Sequence, residues 1–152
     1  FPDCASMDGF VHYAIERAGL LILCLDTFEP GRHGGAFCAR RAAWLAGQLA
    51  AHDATPTVIF MHHPPVVSGI DWMDPAPDEQ WISTFAAAIE GHGQIRAIHC
   101  GHLHRTLHTS FRGIPLGITP SVAPAVMLDL RAVDAEEPDE RALIAAEPPH
   151  YA

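Results

Sequence analysis

Two short apolar runs, each followed directly by a histidine motif, constrain the fold of this chain more than any other feature. Thr57–Met61 ends on His62-His63-Pro64, and Ile95–Cys100 ends on Gly101-His102-Leu103-His104. Apolar runs of this length predict buried strands, and the segment between them has the apolar spacing of a helix over residues 78–90. A strand–helix–strand order favours two neighbouring parallel strands with the helix packed on the sheet. We therefore expect both histidine motifs at the same edge of the sheet, where the parallel strands end.

The remaining pattern predicts an α/β fold, a mixed sheet with flanking helices. Apolar residues 42, 45, 46 and 49 form one helical stripe, and glycine and proline punctuate the segments between the apolar runs. A two-residue turn at Arg112-Gly113 predicts a hairpin. The expected further elements are strands at Phe10–Glu16, Leu20–Asp26, Thr106–Phe111, Ile114–Thr119 and Ala125–Leu130, a helix at Ala39–His52 and an edge strand at Arg141–Ala146.

Composition and charge exclude several classes of function. The 152 residues carry a formal net charge of −9, which argues against nucleic acid as a partner, because phosphate binding needs lysine and arginine. No apolar run is long enough for a membrane span, and no signal peptide is recognisable, so the sequence predicts a cytoplasmic protein without membrane contact. Residues 131–152 contain six acidic residues and two arginines. We expect a globular part over residues 1–130 and a loosely ordered acidic tail over residues 131–152.

The two histidine motifs have the chemistry of a metal site. Neutral imidazole offers a lone pair at pH 7 and is the commonest metal ligand in proteins. In extended backbone, alternate residues point the same way, so His102 and His104 are expected to face one site while Leu103 packs inward. Pro64 restricts the backbone of the histidine before it, which would help to hold the first motif still.

The order and spacing of these motifs carry a family resemblance. Val58–Pro65, followed some 35 residues later by Cys100–Arg105, resembles the carboxyl-terminal half of a calcineurin-like metallophosphoesterase. The branch it resembles is that of the class III cyclic-nucleotide phosphodiesterases and the glycerophosphodiesterases. Leu23–Thr27 with the glycine-containing loop after it, the pair Trp44-Leu45 and Arg112-Gly113-Ile114-Pro115 also resemble that branch. The match extends from about residue 9 to residue 130.

The resemblance implies a fold and a set of ligands. It implies half of a four-layer α/β/β/α sandwich, with two divalent metal ions at the strand ends in the whole protein. By matching positions, His62 and His102 resemble ligands of one ion and His104 a ligand of the second. His63 and His33 are candidates for the substrate side, and no catalytic residue is assigned within this chain. Manganese, iron, zinc and cobalt all suit such ligands, so the metal identity stays open.

Three motifs that supply the family's other ligands are absent from the sequence: Asp-x-His, Gly-Asp-x-x-Asp and Gly-Asn-His. We therefore expect the parent protein to hydrolyse a small phosphodiester, a cyclic nucleotide or a glycerophosphodiester. This chain would supply histidines to the dinuclear site, need the missing amino-terminal half of the domain as its partner, and be inactive alone. The alternative is a non-catalytic metal-binding or interaction module. A further alternative is a fragment that self-associates as a homo-oligomer through an uncovered face of the sheet.

Overall fold

The computed structural model describes residues 5–7, 9–76, 78–122, 124–134, 140–145 and 147. Two helices and nine strands form within these ranges, and most coincide with the predicted elements to within a few residues. The helices are α1 (Ala39–Ala51) and α2 (Gln80–Ile89). The strands are β1 (Ala5–Ser6), β2 (Tyr13–Arg17), β3 (Leu20–Leu25), β4 (Thr57–Met61), β5 (Ile95–Cys100), β6 (Leu107–Phe111), β7 (Ile114–Ile118), β8 (Ala125–Val126) and β9 (Ile144–Ala145).

Seven strands form one mixed sheet in the order β1-β2-β3-β4-β5-β7-β6. The four central strands β3, β4, β5 and β7 run parallel, and the antiparallel pairs lie at the two ends of the sheet. The carboxyl ends of the four parallel strands meet at one edge, because Leu25, Met61, Cys100 and Ile118 are in register there. The predicted α/β architecture with a mixed sheet is confirmed.

Both helices cover the same face of the sheet. Leu23, Ile59 and Ile98 share a register position across three strands and are fully buried. Leu49 of α1 and Phe85 of α2 are fully buried in the same apolar cluster. Burial of such side chains stabilises the fold by about 1.5–3 kcal/mol each. The described chain thus consists of one helical layer on one sheet, the two layers expected of half a sandwich.

The other face of the sheet has no covering layer within the described residues. It presents Ile22, Val58, Cys24 and Phe60, which are all at least partly accessible, and Phe60 is 44% exposed. His99 also lies on this face, stacked on Phe60 with ring centroids 5.1 Å apart. We call this surface the open face. Its composition is that of a sheet that packs against another layer.

Two local predictions are confirmed only in part. The strand expected at Ala125–Leu130 is only β8, and it pairs with β9 in a separate two-stranded sheet instead of extending the main one. The edge strand expected at Arg141–Ala146 is β9, so this part of the acidic segment is paired. His99, in β5, lies outside the core, because its side chain projects onto the open face.

The division into residues 1–130 and 131–152 stays a prediction, and residues 135–139, 146 and 148–152 lie outside the described part of the chain. No helix within the described ranges is long and apolar enough to cross a membrane.

Candidate metal centre

The two histidine motifs lie side by side because β4 and β5 are parallel neighbours. His62 follows the last residue of β4, and Gly101 follows the last residue of β5. The Gly101 amide donates a hydrogen bond to the His62 carbonyl at 3.1 Å, so the two loops are joined directly. The expectation that both motifs share one edge of the sheet therefore agrees with the fold.

Three imidazoles converge at this edge: His62, His63 and His102. One ring nitrogen of each lies within 4.8 Å of one ring nitrogen of each of the others. His102 Nδ1 and His62 Nε2 are 3.3 Å apart, and the ring centroids of His63 and His102 are 4.7 Å apart. We call these three residues the histidine cluster. Two nitrogen lone pairs this close repel unless a proton or a cation lies between them, so the cluster fits a metal ion.

The cluster is held in its neutral form. Burial, and then the charges of neighbouring histidines, lowers the pKa of His102 to about 4. Burial, and then the charge of His62, lowers the pKa of His63 to about 4, and burial also lowers the pKa of His62. At neutral pH the three rings are uncharged. One nitrogen of each ring therefore has a lone pair that is available to a cation.

His63 is positioned by residues of the loop that follows β3. Its Nδ1 lies 2.8 Å from Thr27 Oγ1, and its backbone amide donates to the same hydroxyl at 3.3 Å. A backbone hydrogen bond also links its ring to His33. Both His63 and Thr27 are buried, at 8% and 1% exposure. The candidates for the substrate side, His63 and His33, thus lie together, and His63 also belongs to the cluster.

His104 lies outside the cluster, although its charge is felt by His62 and His102. Its Nδ1 is 2.9 Å from the carbonyl oxygen of Pro124, so Nδ1 carries the proton and donates. The alternation argument assumed an extended backbone at His102 and His104. The structure differs, because φ is +70° at His102 and +54° at His104. Such conformations are uncommon for residues other than glycine and cluster at functional sites. Leu103 between them is 1% exposed, so the expected inward packing is present.

Two cavities meet at the histidine cluster. A groove of about 560 Å³ on the open face is lined by His62 and His63 together with the exposed apolar side chains Val11, Phe28 and Phe60. A recess of about 470 Å³ on the other side is lined by residues of six segments. These include His33, His63, Trp72, Trp81, His102 and Leu143. The cluster is therefore accessible from two sides. A ligand in the recess can reach it, and so can a layer that packs on the open face.

A further cavity of about 720 Å³ lies near Gly91 and Arg112, at the amino-terminal ends of β5 and β7. Binding sites of parallel sheets form at the opposite edge, so we do not assign this cavity to the candidate centre.

Sequence reasoning assigned no role to Thr27, Pro124 or Arg105, which contact the histidines or the loop after them. The sequence offered a signal for Thr27, because it is a polar residue two positions after the end of the buried strand β3. The sequence contains no such signal for the contact between His104 and Pro124. That contact depends on how a segment twenty residues later folds back onto the edge of the sheet.

Among the described residues, no carboxylate belongs to the histidine cluster. Three neutral imidazoles fit one dication, but they supply no negative charge to hold two dications close together and no oxygen to bridge them. The residues present therefore fit part of a dinuclear centre.

Comparisons with known proteins agree with this geometry. No family model matches the chain. The chain is 36% identical over 100 residues to a cAMP/cGMP dual specificity phosphodiesterase of Mycobacterium tuberculosis, covering 66% of this chain and 31% of the relative. It is 32% identical over 141 residues to a probable glycerophosphodiester phosphodiesterase of Arcobacter nitrofigilis, covering 90% and 50%. It is 33% identical over 151 residues to a probable cyclic nucleotide phosphodiesterase of Rhodopseudomonas palustris, covering 95% and 51%.

Among solved structures, the fold is similar to that of a dimetal phosphatase from Danio rerio, with a TM-score of 0.59 at 15% identity, covering 73% of this chain and 49% of that one. The chain spans from a third to a half of the length of the curated relatives it matches. Sequence and fold together show that the chain is related to the cyclic nucleotide and glycerophosphodiester phosphodiesterases of the calcineurin-like metallophosphoesterase family.

Proposed function

We propose that this chain supplies the histidine-bearing part of a dinuclear metal centre in a protein that hydrolyses small phosphodiesters. The observation that carries the proposal is the convergence of His62, His63 and His102 at the carboxyl edge of a parallel sheet. The relatives that the chain matches are named as phosphodiesterases of cyclic nucleotides or glycerophosphodiesters, and this chain's substrate is proposed to come from those two groups.

His62 and His102 would hold one divalent ion, and His104 would bind the second. Divalent ions in such a centre make a hydroxide nucleophile available near neutral pH and stabilise the charge that develops on the phosphate oxygens. His63, fixed by Thr27, would keep the cluster rigid and face the bound phosphate together with His33. The hydrogen bond from His104 Nδ1 to Pro124 leaves Nε2 of that ring with its lone pair.

The missing carboxylates would come from the amino-terminal half of the same domain, bound on the open face. The groove beside His62 and His63 is apolar, as an interface between two sheets should be, and it reaches the cluster directly. We propose that the 152-residue chain alone is not a competent enzyme. Its cytoplasmic location, its homo-oligomeric state and the absence of a nucleic-acid partner stay predictions from the sequence.

Metal binding by three variants tests the ligand assignment. We expect His62→Ala and His102→Ala each to weaken Mn²⁺ or Zn²⁺ binding by the 152-residue chain, measured by titration calorimetry. His99→Ala is the matched control, because His99 lies in the same strand region but stacks on Phe60 outside the cluster. Equal affinities in the wild type and all three variants would contradict the assignment.

Hydrolysis of a chromogenic phosphodiester with added Mn²⁺ tests the activity. We expect turnover from a chain extended upstream of Phe1 and none from the 152-residue chain. Activity of the short chain that is abolished by His102→Ala would show that the site is complete without further ligands. Absence of activity in both, with intact metal binding, would favour the non-catalytic metal-binding module.

A further inference from the structure

Two short strands among the described residues after β7 fold back onto the candidate metal centre. β8 and β9 pair as a short antiparallel ribbon, with Ala125 opposite Ala145 and Val126 opposite Ile144. The Met127 amide extends the pairing by donating to the Leu143 carbonyl at 3.0 Å. We call β8 and β9 the carboxyl-terminal ribbon. Ala125, Val126 and Ala145 are at most 5% exposed, so the ribbon is packed against the domain.

His104, the last residue of the second histidine motif, and Arg105 after it both contact this ribbon. His104 Nδ1 donates to the carbonyl of Pro124, the residue before β8, at 2.9 Å. Arg105 Nε donates to the Val126 carbonyl at the end of β8, at 2.7 Å. The His104–Arg105 dipeptide therefore contacts the backbone on both sides of Ala125.

Arg105 also contacts Glu147, which lies close after the ribbon in sequence. Its two terminal nitrogens contact the two carboxylate oxygens of Glu147 at 3.2 and 2.9 Å, a two-pronged pairing that fixes direction as well as distance. Glu147 lies two residues beyond β9. The guanidinium thus contacts the end of β8 through a carbonyl and the residue two positions beyond β9 through a carboxylate.

We propose that Glu147 is a positioning residue for His104 and acts through Arg105 and the carboxyl-terminal ribbon. By holding the ribbon, the Arg105–Glu147 pair keeps the Pro124 carbonyl where it accepts the Nδ1 proton of His104. That hydrogen bond selects one tautomer and leaves the Nε2 lone pair for a divalent cation. The acidic segment would then be part of the centre, and Leu143, which lines the recess with His102, would close one side of it.

The placement of His104 supports this role. Its φ of +54° is an uncommon backbone conformation, and such conformations persist only where surrounding contacts impose them. The contacts that the structure shows for the His104 ring and for the next side chain both lead to the ribbon. The proposal rests on the assignment of His104 as a metal ligand under the proposed function.

The tautomer of His104 gives a test that needs no metal and no activity. We would record ¹⁵N–¹H correlation spectra of the histidine side chains in the metal-free 152-residue chain. The wild type should carry the proton of His104 on Nδ1. Glu147→Ala should shift His104 toward a mixture of the two tautomers, and Glu147→Gln, which retains one acceptor for Arg105, should give an intermediate result.

Glu140→Ala is the matched control, because it removes the same charge from an exposed position of the same segment. It should leave the His104 tautomer unchanged. An exposed ion pair contributes little to global stability, so all three variants should stay folded, with near-unchanged melting temperatures. Arg105→Gln, which breaks the same link from the other side, should reproduce the effect of Glu147→Ala on the tautomer.

Mn²⁺ titration then connects the tautomer to the centre. Glu147→Ala should weaken Mn²⁺ binding by about tenfold, as is typical for loss of an outer hydrogen-bond partner, and Glu140→Ala should not. An unchanged His104 tautomer in both Glu147→Ala and Arg105→Gln would overturn the proposal, as would an equal effect of Glu140→Ala. Failure of the wild type to bind Mn²⁺ would instead overturn the assignment of His104 as a metal ligand. The His104 tautomer would still show whether the ribbon positions the ring.

Discussion

At the scale of single residues, burial decides the behaviour of the histidines. His12 shows this away from the metal centre. It is fully buried against Phe37 and Trp44, and its Nδ1 accepts a hydrogen bond from the Asp26 amide at 2.8 Å. Burial lowers its pKa to about 4, against a raising contribution from Asp26. A neutral imidazole is therefore part of the core.

This pKa predicts how stability depends on pH. Between pH 6.5 and pH 4 the unfolded chain takes up a proton at His12 that the folded chain does not, so the free energy of unfolding falls as pH falls. By pH 5 the loss from His12 alone is about 2 kcal/mol. Urea unfolding at pH 7 and pH 5 measures it.

His12→Asn should be less stable at pH 7, yet it should lose less stability between the two pH values than the wild type. His63 and His102 contribute with the same sign, so some pH dependence will remain in the variant. An identical pH dependence in wild type and variant would contradict a neutral buried His12.

Gly35 is a residue whose lack of a side chain matters to the site. A Cβ there would lie 2.9 Å from Trp81 Cζ2 and 3.0 Å from His63 Cβ, closer than real contacts allow. We expect Gly35→Ala to destabilise the chain by about 1–3 kcal/mol and to weaken Mn²⁺ binding through displacement of His63. Gly47→Ala is the control, since its Cβ would meet nothing within 4 Å and alanine favours the helix. Thermal unfolding together with metal titration separates the two effects.

At the scale of elements, helix α2 is fixed by one aromatic side chain. Phe85 is fully buried, with ring centroids 5.5 Å from Phe37 in the loop before α1 and 5.7 Å from Phe111 in β6. It therefore joins the helix to two parts of the chain that are distant in sequence. The short strands β8 and β9 differ from α2, because polar contacts as well as apolar burial hold them. These contacts join Arg105 to the Val126 carbonyl and to Glu147.

Phe85→Ala should therefore cost about 3–5 kcal/mol, from lost burial and the cavity that remains. Ser83→Ala in the same helical turn changes an exposed side chain and should alter stability by less than about 0.5 kcal/mol. Chemical denaturation of both variants measures the difference. Similar losses in the two would mean that α2 is not anchored through Phe85.

At the scale of the whole molecule, the open face is the dominant feature. One side of the sheet is covered by two helices, while the other exposes Phe60 in a groove shared with Val11 and Phe28. Large apolar surfaces of this kind mark an interaction site, and an isolated chain that carries one tends to associate. The proposed occupant in the parent protein is the remaining half of the domain.

This surface predicts concentration-dependent self-association of the 152-residue chain, which sedimentation velocity would detect. Phe60→Glu should reduce it, because a carboxylate in the groove opposes burial of the face. Val67→Glu is the control, since Val67 is 61% exposed but does not line the groove. Addition of the upstream segment should also suppress association, and equal association of both variants and the wild type would place the contact elsewhere.

The sequence by itself determined the strand–helix–strand frame and the location of the histidine motifs. Apolar runs such as Thr57–Met61 and Ile95–Cys100 are local signals, and parallel neighbours necessarily bring their carboxyl ends to one edge. The family resemblance depended on the same motifs, and the comparisons confirm it.

Only the tertiary structure decided which nitrogens converge and what holds them. The pairing of His63 with Thr27 and of His104 with Pro124 joins residues 36 and 20 positions apart, which no local pattern encodes. The burial of His12 and the exposure of His99 likewise depend on which face of the sheet the helices cover. Side-chain periodicity fixes which residues share a face, but the layer that packs on that face is set by the whole chain.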